Sequence, residues 1–600
     1  MKTILLTTLL ILSATSAWTQ WKPAGNKIKT TWADKIDPTN ILPEYPRPAM
    51  ERPQWSNLNG LWDYAILPAG AAEPLQFDGK ILVPFAVESS LSGVGKHPGK
   101  ENELWYKRTF TVPPAWKGKS VLLHFGAVDW KTDVFVNNIK VGAHKGGYTP
   151  FSFDITPYLT QGEQTLVVKV WDPTDESYQP RGKQVNKPEG IWYTPVSGIW
   201  QTVWLEPVPK KHITSVTPTP DIDAQRLSIT VDVANTTHGD IIEIVLKDAG
   251  KTIATAKTAV GQQIDIPVPG LKLWSPETPF LYDIETSLYT DNKRQDKVIG
   301  YTAMRKISIG PDKNGILRLQ LNNEIYFQLG PLDQGWWPDG LYTAPTDEAL
   351  QYDIQKTKDF GFNMIRKHVK VEPARWYTHC DRLGILVWQD MPSGGNSPRW
   401  QMHQFFDGKE AIRPPESETN FRQEWKEIID LLKPNPCVVV WVPFNEAWGQ
   451  FKSTEIATWT KSYDPSRLVN PASGGNHYLE AGDILDIHNY PNPKITLLNT
   501  KKANVLGEFG GIGLAIEGHL WQPEKNWGYV EFKTSKEVTD EYIKFIGILK
   551  RTIERGYSAA VYTQTTDVEG EVNGLMTYDR KIIKIEEDRL RQANTELIKN

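Results

Sequence analysis

From Gly310 onward, strand-like runs alternate with helical ones, and that alternation constrains the fold more than any other property of the chain. Segments such as "TDEALQYDIQKTKDFG" and "NFRQEWKEIIDLLK" carry helical periodicity. Eight candidate strands lie around and between them: "IYFQLG", "FNMIRKH", "ILVWQDM", "VVVWVPFN", "RLVNPAS", "ILDIHNY", "NVLGEFG" and "SAAVYTQT". Eight βα units in about 280 residues make a (β/α)8 or TIM barrel, expected over 311–600. In "CVVVWVPFNEAWGQ" the apolar residues occupy both parities, which suits a parallel strand covered on both faces. Such barrels carry their chemistry at the carboxyl ends of the strands. Asn445 and Glu446 fall there after candidate strand four, and Glu508 after candidate strand seven.

A chain of 600 residues exceeds what one core serves, and the upstream sequence reads differently from the barrel. From about Pro46 to Pro207, short alternating runs such as "GLWDYAIL", "SVLLHFGAV" and "TLVVKVWD" are split by Gly, Pro and Asn, the pattern of an antiparallel β-sandwich. After a Pro- and Thr-rich boundary, "RLSITVDVAN", "DIIEIVLKD" and "LYDIETSLYT" form a second, smaller β unit of immunoglobulin-like size. The expected divisions are 20–208, 209–310 and 311–600. The first 19 residues, with one early Lys, a short apolar run and small residues before the break, read as a secretory signal peptide, which implies a secreted or periplasmic protein. No other segment reaches membrane-spanning length. The 67 basic and 71 acidic residues nearly cancel, giving no electrostatic basis for a nucleic-acid or membrane partner. Cys380 and Cys437 sit in no Cys/His cluster and are expected as buried free thiols. The 24 Trp and 22 Tyr exceed ordinary core needs and hint at stacking on sugar faces.

Strands four and seven face each other across a barrel mouth, so Glu446 and Glu508 are placed to converge. Two converging carboxyl groups serve retaining glycoside hydrolysis at a gap of about 5–5.5 Å, or inverting hydrolysis at about 6.5–9.5 Å. The alternative for either residue is a structural ion pair or loop cap.

In its motifs the chain resembles glycoside hydrolase family 2, which holds β-galactosidases, β-mannosidases and β-glucuronidases. The likeness runs from about Pro46 to about Lys584, through "LNGLWDY", "VDWKTDVFVNNIKVGAHKGGYTPFSFDITPYL", "SGIWQTVWLEP", "NMIRKH", "LGILVWQDMPS", "FNEAWG" and "LGEFGG". The resemblance implies a sugar-binding jelly-roll as the first domain. It also implies Glu446 as general acid/base, Glu508 as nucleophile and Asn445 as the amide that binds the sugar 2-hydroxyl. Arg366 is then the cation beside the nucleophile and Tyr490 its hydroxyl donor. His368 shares parity with Arg366 and is expected to reach the sugar, although the family histidine lies one residue further on. Asp390, at the end of strand three, either binds sugar hydroxyls or fixes its loop. His488 either orients the site or packs. Trp336, Trp337 and Trp448 form a stacking platform or interdomain packing, and Asp129 and Trp130 stand where a loop of the first domain reaches over the barrel.

No ligand spacing such as His-Glu-x-x-His occurs, and retaining hydrolysis requires no cofactor, so neither metal nor cofactor is expected. The expected partner is an oligosaccharide or glycoside, with self-association open. Where metal-dependent β-galactosidases carry His-Glu after strand one, this chain has Asp333 and Gln334. Where β-glucuronidases carry a lysine clamp, "EVNGLMTYDR" offers Glu571 and no Lys. "WQD" and "YTQTTD" are similar to β-mannosidase segments. The resulting expectation is an exo-acting retaining β-glycosidase, β-galactosidase by default, against β-mannosidase, β-glucuronidase, or a carbohydrate-binding protein without catalysis.

Overall fold

The computed structural model describes residues 21–599, so the signal-peptide reading of 1–19 lies outside the described residues. The first domain is a sandwich of two antiparallel sheets. Its six-stranded sheet runs in the order Gly79–Val83, Gly60–Pro68, Asn102–Thr111, Glu163–Trp171, Lys131–Val136 and Ile139–Lys145. The four-stranded sheet orders Ser56–Asn57, Val203–Val208, Ser120–Phe125 and Phe151–Asp154. Period-two burial along Lys131–Val136 shows why alternation reads correctly here: every second side chain enters the core with Trp62, Tyr106 and Phe125. The second domain packs three strands on four, as an immunoglobulin-like unit does, around Ile229, Ile244 and Leu288.

The third domain is a barrel of eight parallel strands: β1 Gln328–Asp333, β2 Met364–Lys367, β3 Leu386–Asp390, β4 Val438–Val442, β5 Leu468–Val469, β6 Ile484–His488, β7 Ala503–Gly510 and β8 Tyr557–Thr563. They lie in the order β5-β4-β3-β2-β1-β8-β7-β6. The seam from β5 to β6 is closed by Asp483 N–H to Val469 O at 2.8 Å and Gly474 N–H to Asp486 O at 3.1 Å. All five residues of β4 are buried, as its loss of alternation requires.

Two expectations change. The first barrel strand begins at Gln328 rather than Ile325, because Asn322 and Asn323, both at positive φ, turn Glu324–Ile325 back onto Leu317–Leu321 as a hairpin. The described residues also hold six α-helices rather than eight: α1 Asp347–Asp359, α2 Ala374–Leu383, α3 Pro415–Leu432, α4 Ser453–Tyr463, α5 Ser535–Glu554 and α6 Glu587–Ile598. No α-helix follows β5 or β6. Pro471, Gly474, Gly475 and Gly482 punctuate the first of these connections, and Pro491 and Pro493 the second.

The other two domains grip opposite ends of the barrel. Arg305 reaches from the second domain to Pro436 O and Val438 O at the start of β4, and Trp274 donates to Asp381 O at 2.8 Å below α2. The strand Ile307–Pro311, which spans the expected 310/311 division, pairs with Leu317–Leu321, and Arg318 of that hairpin donates to Tyr557 O at the base of β8. The sandwich instead meets the carboxyl end, through Arg181 and Gly182 N–H to Ser393 O after β3. Trp32, Tyr148 and Trp200 share one apolar core with Trp336 and Leu350 of the barrel. Among the described residues no helix is long and apolar enough to cross a membrane.

Candidate active site

The chain leaves β4 through Pro443 and Phe444, and Asn445 then pairs with Ser473 beyond β5. Glu446 N–H bonds Ser473 O at 2.8 Å, after which Glu446 and Ala447 adopt positive φ of 46° and 68°. Two consecutive non-glycine residues in that region cost on the order of 1–3 kcal/mol each, a strain tolerated where it aims a side chain. Glu446 is aimed into the barrel mouth. Across the mouth, register shifts in β6 and β7 set Glu508 beside His488.

The two carboxyl groups meet. Oxygens of Glu446 and Glu508 and a nitrogen of His488 all lie within 4.8 Å of one another. His488 Nδ1 is 2.7 Å from Glu446 Oε1 and 3.3 Å from Glu508 Oε2, so the imidazole bridges the pair. Their surroundings differ. Glu508 is 3.1 Å from Arg366 Nη1 and accepts from the Tyr490 hydroxyl at 2.6 Å. Burial raises its carboxyl, and Glu446 adds to that, but His488, Arg366 and Tyr490 pull it back toward the ionised form. Burial pushes Glu446 up to about 7, against which Lys183 and Arg366 act only through space. The same burial lowers His488, which leaves Glu446, raised to about 7, as the member of the pair suited to carry a proton near neutrality. The three side chains also have the spacing of a cation site; Arg366, with no exposed side-chain surface, already supplies a fixed positive charge there.

Arg366 organises the floor. Its Nη2 donates to Asn445 Oδ1 at 2.7 Å, which turns the Asn445 amide so that Nδ2 is buried and unpartnered, a donor free for a sugar hydroxyl. Asp390 is committed to protein partners. Its oxygens receive Arg366 Nε at 3.2 Å, Arg366 Nη2 at 3.0 Å and His368 Nδ1 at 2.9 Å, which makes it the anchor beneath both. His368 thereby has Nδ1 engaged, and burial keeps it neutral.

The aromatic expectations divide. Trp448 is partly open, its ring 5.0 Å from Trp192 and 5.8 Å from His368. Trp336 is 1% exposed and packed 5.3 Å from Tyr193 and 4.5 Å from Tyr342, so its faces serve the domain interface rather than a ligand. Trp337 stacks on the Arg580 guanidinium at 3.9 Å. Asp129 accepts from Gln184 Nε2 at 2.9 Å and Trp130 is 1% exposed, so both support the sandwich loop that covers the mouth without entering the site. Asp333 pairs with Lys367 at 2.8 Å, while both polar atoms of Gln334 are buried without partners.

Sequence reasoning missed what that loop delivers. Residues 181–196 bring Lys183 over the mouth and Tyr193 down to Glu571, whose Oε2 accepts from the Tyr193 hydroxyl. It missed Tyr529 as well, 43% exposed and stacked on Tyr490 at 3.8 Å. The one available signal was two Lys and two aromatics crowded into a Pro/Gly-rich connection, "RGKQVNKPEGIWYTP".

Fold and site together define a multidomain barrel protein with a two-carboxylate centre at the carboxyl ends of β4 and β7, closed by a loop of an accessory sandwich. Three family models match in order: the sugar binding domain of glycosyl hydrolases family 2 over 56–209, a second domain of that family over 211–305, and its TIM barrel domain over 344–509. The chain belongs to glycosyl hydrolases family 2. It is 27% identical to a β-galactosidase of Thermoanaerobacter pseudethanolicus over 485 residues, covering 76% of this chain and 61% of that protein. It is 28% identical over 423 residues to a putative β-glucuronidase of Formosa agariphila, covering 68% of this chain and 37% of the relative. The chain thus spans about three fifths of the first of these relatives and little more than a third of the second. A solved β-D-glucuronidase of Dictyoglomus thermophilum shares the fold, with a TM-score of 0.71 at 19% identity over 92% of this chain and 98% of that one.

Proposed function

We propose that the protein is an exo-acting, retaining β-glycosidase, with a terminal β-galactoside as the first substrate to try. The carrying observation is the approach of a Glu446 oxygen to within 4.8 Å of a Glu508 oxygen, which favours the short carboxyl separation of retention over the wider one of inversion. Glu508, ionised beside Arg366 and Tyr490, attacks the anomeric carbon. Glu446 donates its proton to the leaving oxygen, and the sugar becomes covalently held on Glu508. Glu446, now a carboxylate, takes a proton from water, which displaces Glu508 with a second inversion and so restores the β configuration. Asn445 Nδ2 supplies the donor for the 2-hydroxyl, a contact that strengthens as positive charge develops on the ring. Relatives named for β-galactoside and β-glucuronide activity support the glycosidase class and leave the sugar to experiment.

A panel of aryl β-glycosides tests the reading. Wild type is expected to turn over at least one member, Glu508→Gln none. Glu508→Gly with azide should return activity as a glycosyl azide of inverted configuration. Sugar binding without turnover of any aryl glycoside would identify a carbohydrate-binding protein instead.

A further inference from the structure

Lys183 is 5% exposed, belongs to the sandwich, and lies at the mouth of a barrel that is not its own domain. Its loop is rigidly held. Gln184 Oε1 accepts from Val196 N–H at 2.6 Å, Tyr193 N–H bonds Lys183 O at 2.9 Å, and Thr194 N–H bonds Glu569 Oε1 at 2.9 Å. The ammonium projects between two rings, 5.4 Å from the Tyr193 centroid and 5.8 Å from that of Trp448. Tyr193 is bonded to Glu571, and Trp448 stands two residues beyond Glu446. Among the described residues Lys183 Nζ has no hydrogen-bond acceptor and no carboxylate at ion-pair distance, although Glu571, Glu508 and Glu446 all act on it through space. The ammonium keeps access to water while no protein acceptor meets it, and a fold that fixes such a donor beside its catalytic pair offers it to a ligand.

Building on the glycosidase reading, we propose that Lys183 and Glu571 clamp neighbouring hydroxyls of a neutral glycone, the ammonium donating and the carboxylate accepting. Glu571 receives Tyr193 on one oxygen and Asn573 Nδ2 at 3.0 Å on the other, which leaves lone pairs for a sugar hydroxyl. The charge balance selects against an acidic sugar. Arg366 is already shared between Asp390 at 3.0 Å and Glu508 at 3.1 Å, so Lys183 alone is left to balance Glu571 among the charged groups named here, and a uronate would add a further negative charge.

Binding and turnover are measured separately, with neutral β-thioglycosides (galacto, gluco and manno) and a β-thioglucuronide as calorimetric ligands and the matching aryl glycosides as substrates. Lys183→Met and Glu571→Gln are each expected to weaken the preferred neutral thioglycoside about 10- to 100-fold, the loss of a hydrogen bond to a charged group. The loss should appear in KM as well as kcat/KM, with the melting temperature of Lys183→Met not lowered and partial recovery in Lys183→Arg. Unchanged affinity in Lys183→Met overturns the proposal, as does a wild-type preference for the thioglucuronide. Binding that responds to Lys183 in a protein that hydrolyses nothing sinks the hydrolase reading alone. Absence of binding by all four ligands overturns the clamp, and absence of turnover across the aryl panel overturns the hydrolase reading.

Discussion

Glu446 is both the proton donor of the proposed reaction and a local source of instability. Its folded pKa of about 7 stands above the ordinary 4.5, so between those values the folded protein holds a proton that the unfolded chain has released. The resulting stabilisation is fully present below about pH 4.5 and gone once pH passes about 7. Glu446→Gln, which cannot ionise, is expected to raise stability by about 1–3 kcal/mol at pH 8 and to leave it unchanged at pH 4.5, a difference that denaturant titration at the two pH values reads. The same substitution should lower kcat/KM by about 10²- to 10⁴-fold on glycosides with poor leaving groups. In wild type the rate should fall as pH rises through about 7, where the acid loses its proton. Glu446 and Glu508 were legible because each lies near or just past the carboxyl end of an apolar strand, whereas Arg366 and Tyr490 could be read only through the family resemblance. Asp390 and Trp336 were legible as residues near the mouth but not in their direction. An Asp at a strand end meets either substrate or a neighbouring Arg, and only the packed barrel decides between them.

At the scale of elements, the loop 181–196 depends on one backbone conformation. Gly182 has φ +62°, and a Cβ there would come within 2.5 Å of Val369 O and 3.0 Å of the Tyr342 hydroxyl. Gly182→Ala is therefore expected to push Lys183 and Tyr193 off the barrel, lowering kcat/KM at least 10-fold while the far-ultraviolet circular dichroism stays native. A rate equal to wild type would show that the loop's seat has no bearing on the reaction. Strand β4 was readable because burial on both faces leaves a dense β-branched run, and the others by their alternation with helical segments; the two missing helices were hinted only by Pro and Gly in connections whose lengths would still have accommodated a short helix. The loop itself has no periodicity, since its fold is dictated by partners from another domain, and periodicity is what sequence reading detects.

For the whole molecule, the interfaces are cores rather than contacts. Trp32, Tyr148, Tyr193, Trp200 and Trp274 from outside the barrel belong to the same apolar cluster as Trp336, Trp388 and Val440 within it. Inter-domain surfaces of that kind are expected to melt together, so calorimetry should show one dominant transition rather than three. A separately produced 311–600 segment, deprived of Lys183 and of the Tyr193–Glu571 bond, should show neither turnover nor thioglycoside binding. Three domains were evident from changes of texture along the chain. Their fusion was not, because composition records that a residue is apolar without recording whose core it joins.

Because the loop that covers the catalytic mouth is encoded upstream of the barrel, the ribosome delivers it first. The sandwich, all of whose strands precede residue 209, is complete in sequence while the barrel is still being made. In a chain that folds in the order of its synthesis, each barrel strand therefore meets a surface already built, and the two-carboxylate centre is complete only once β7 brings Glu508 into place.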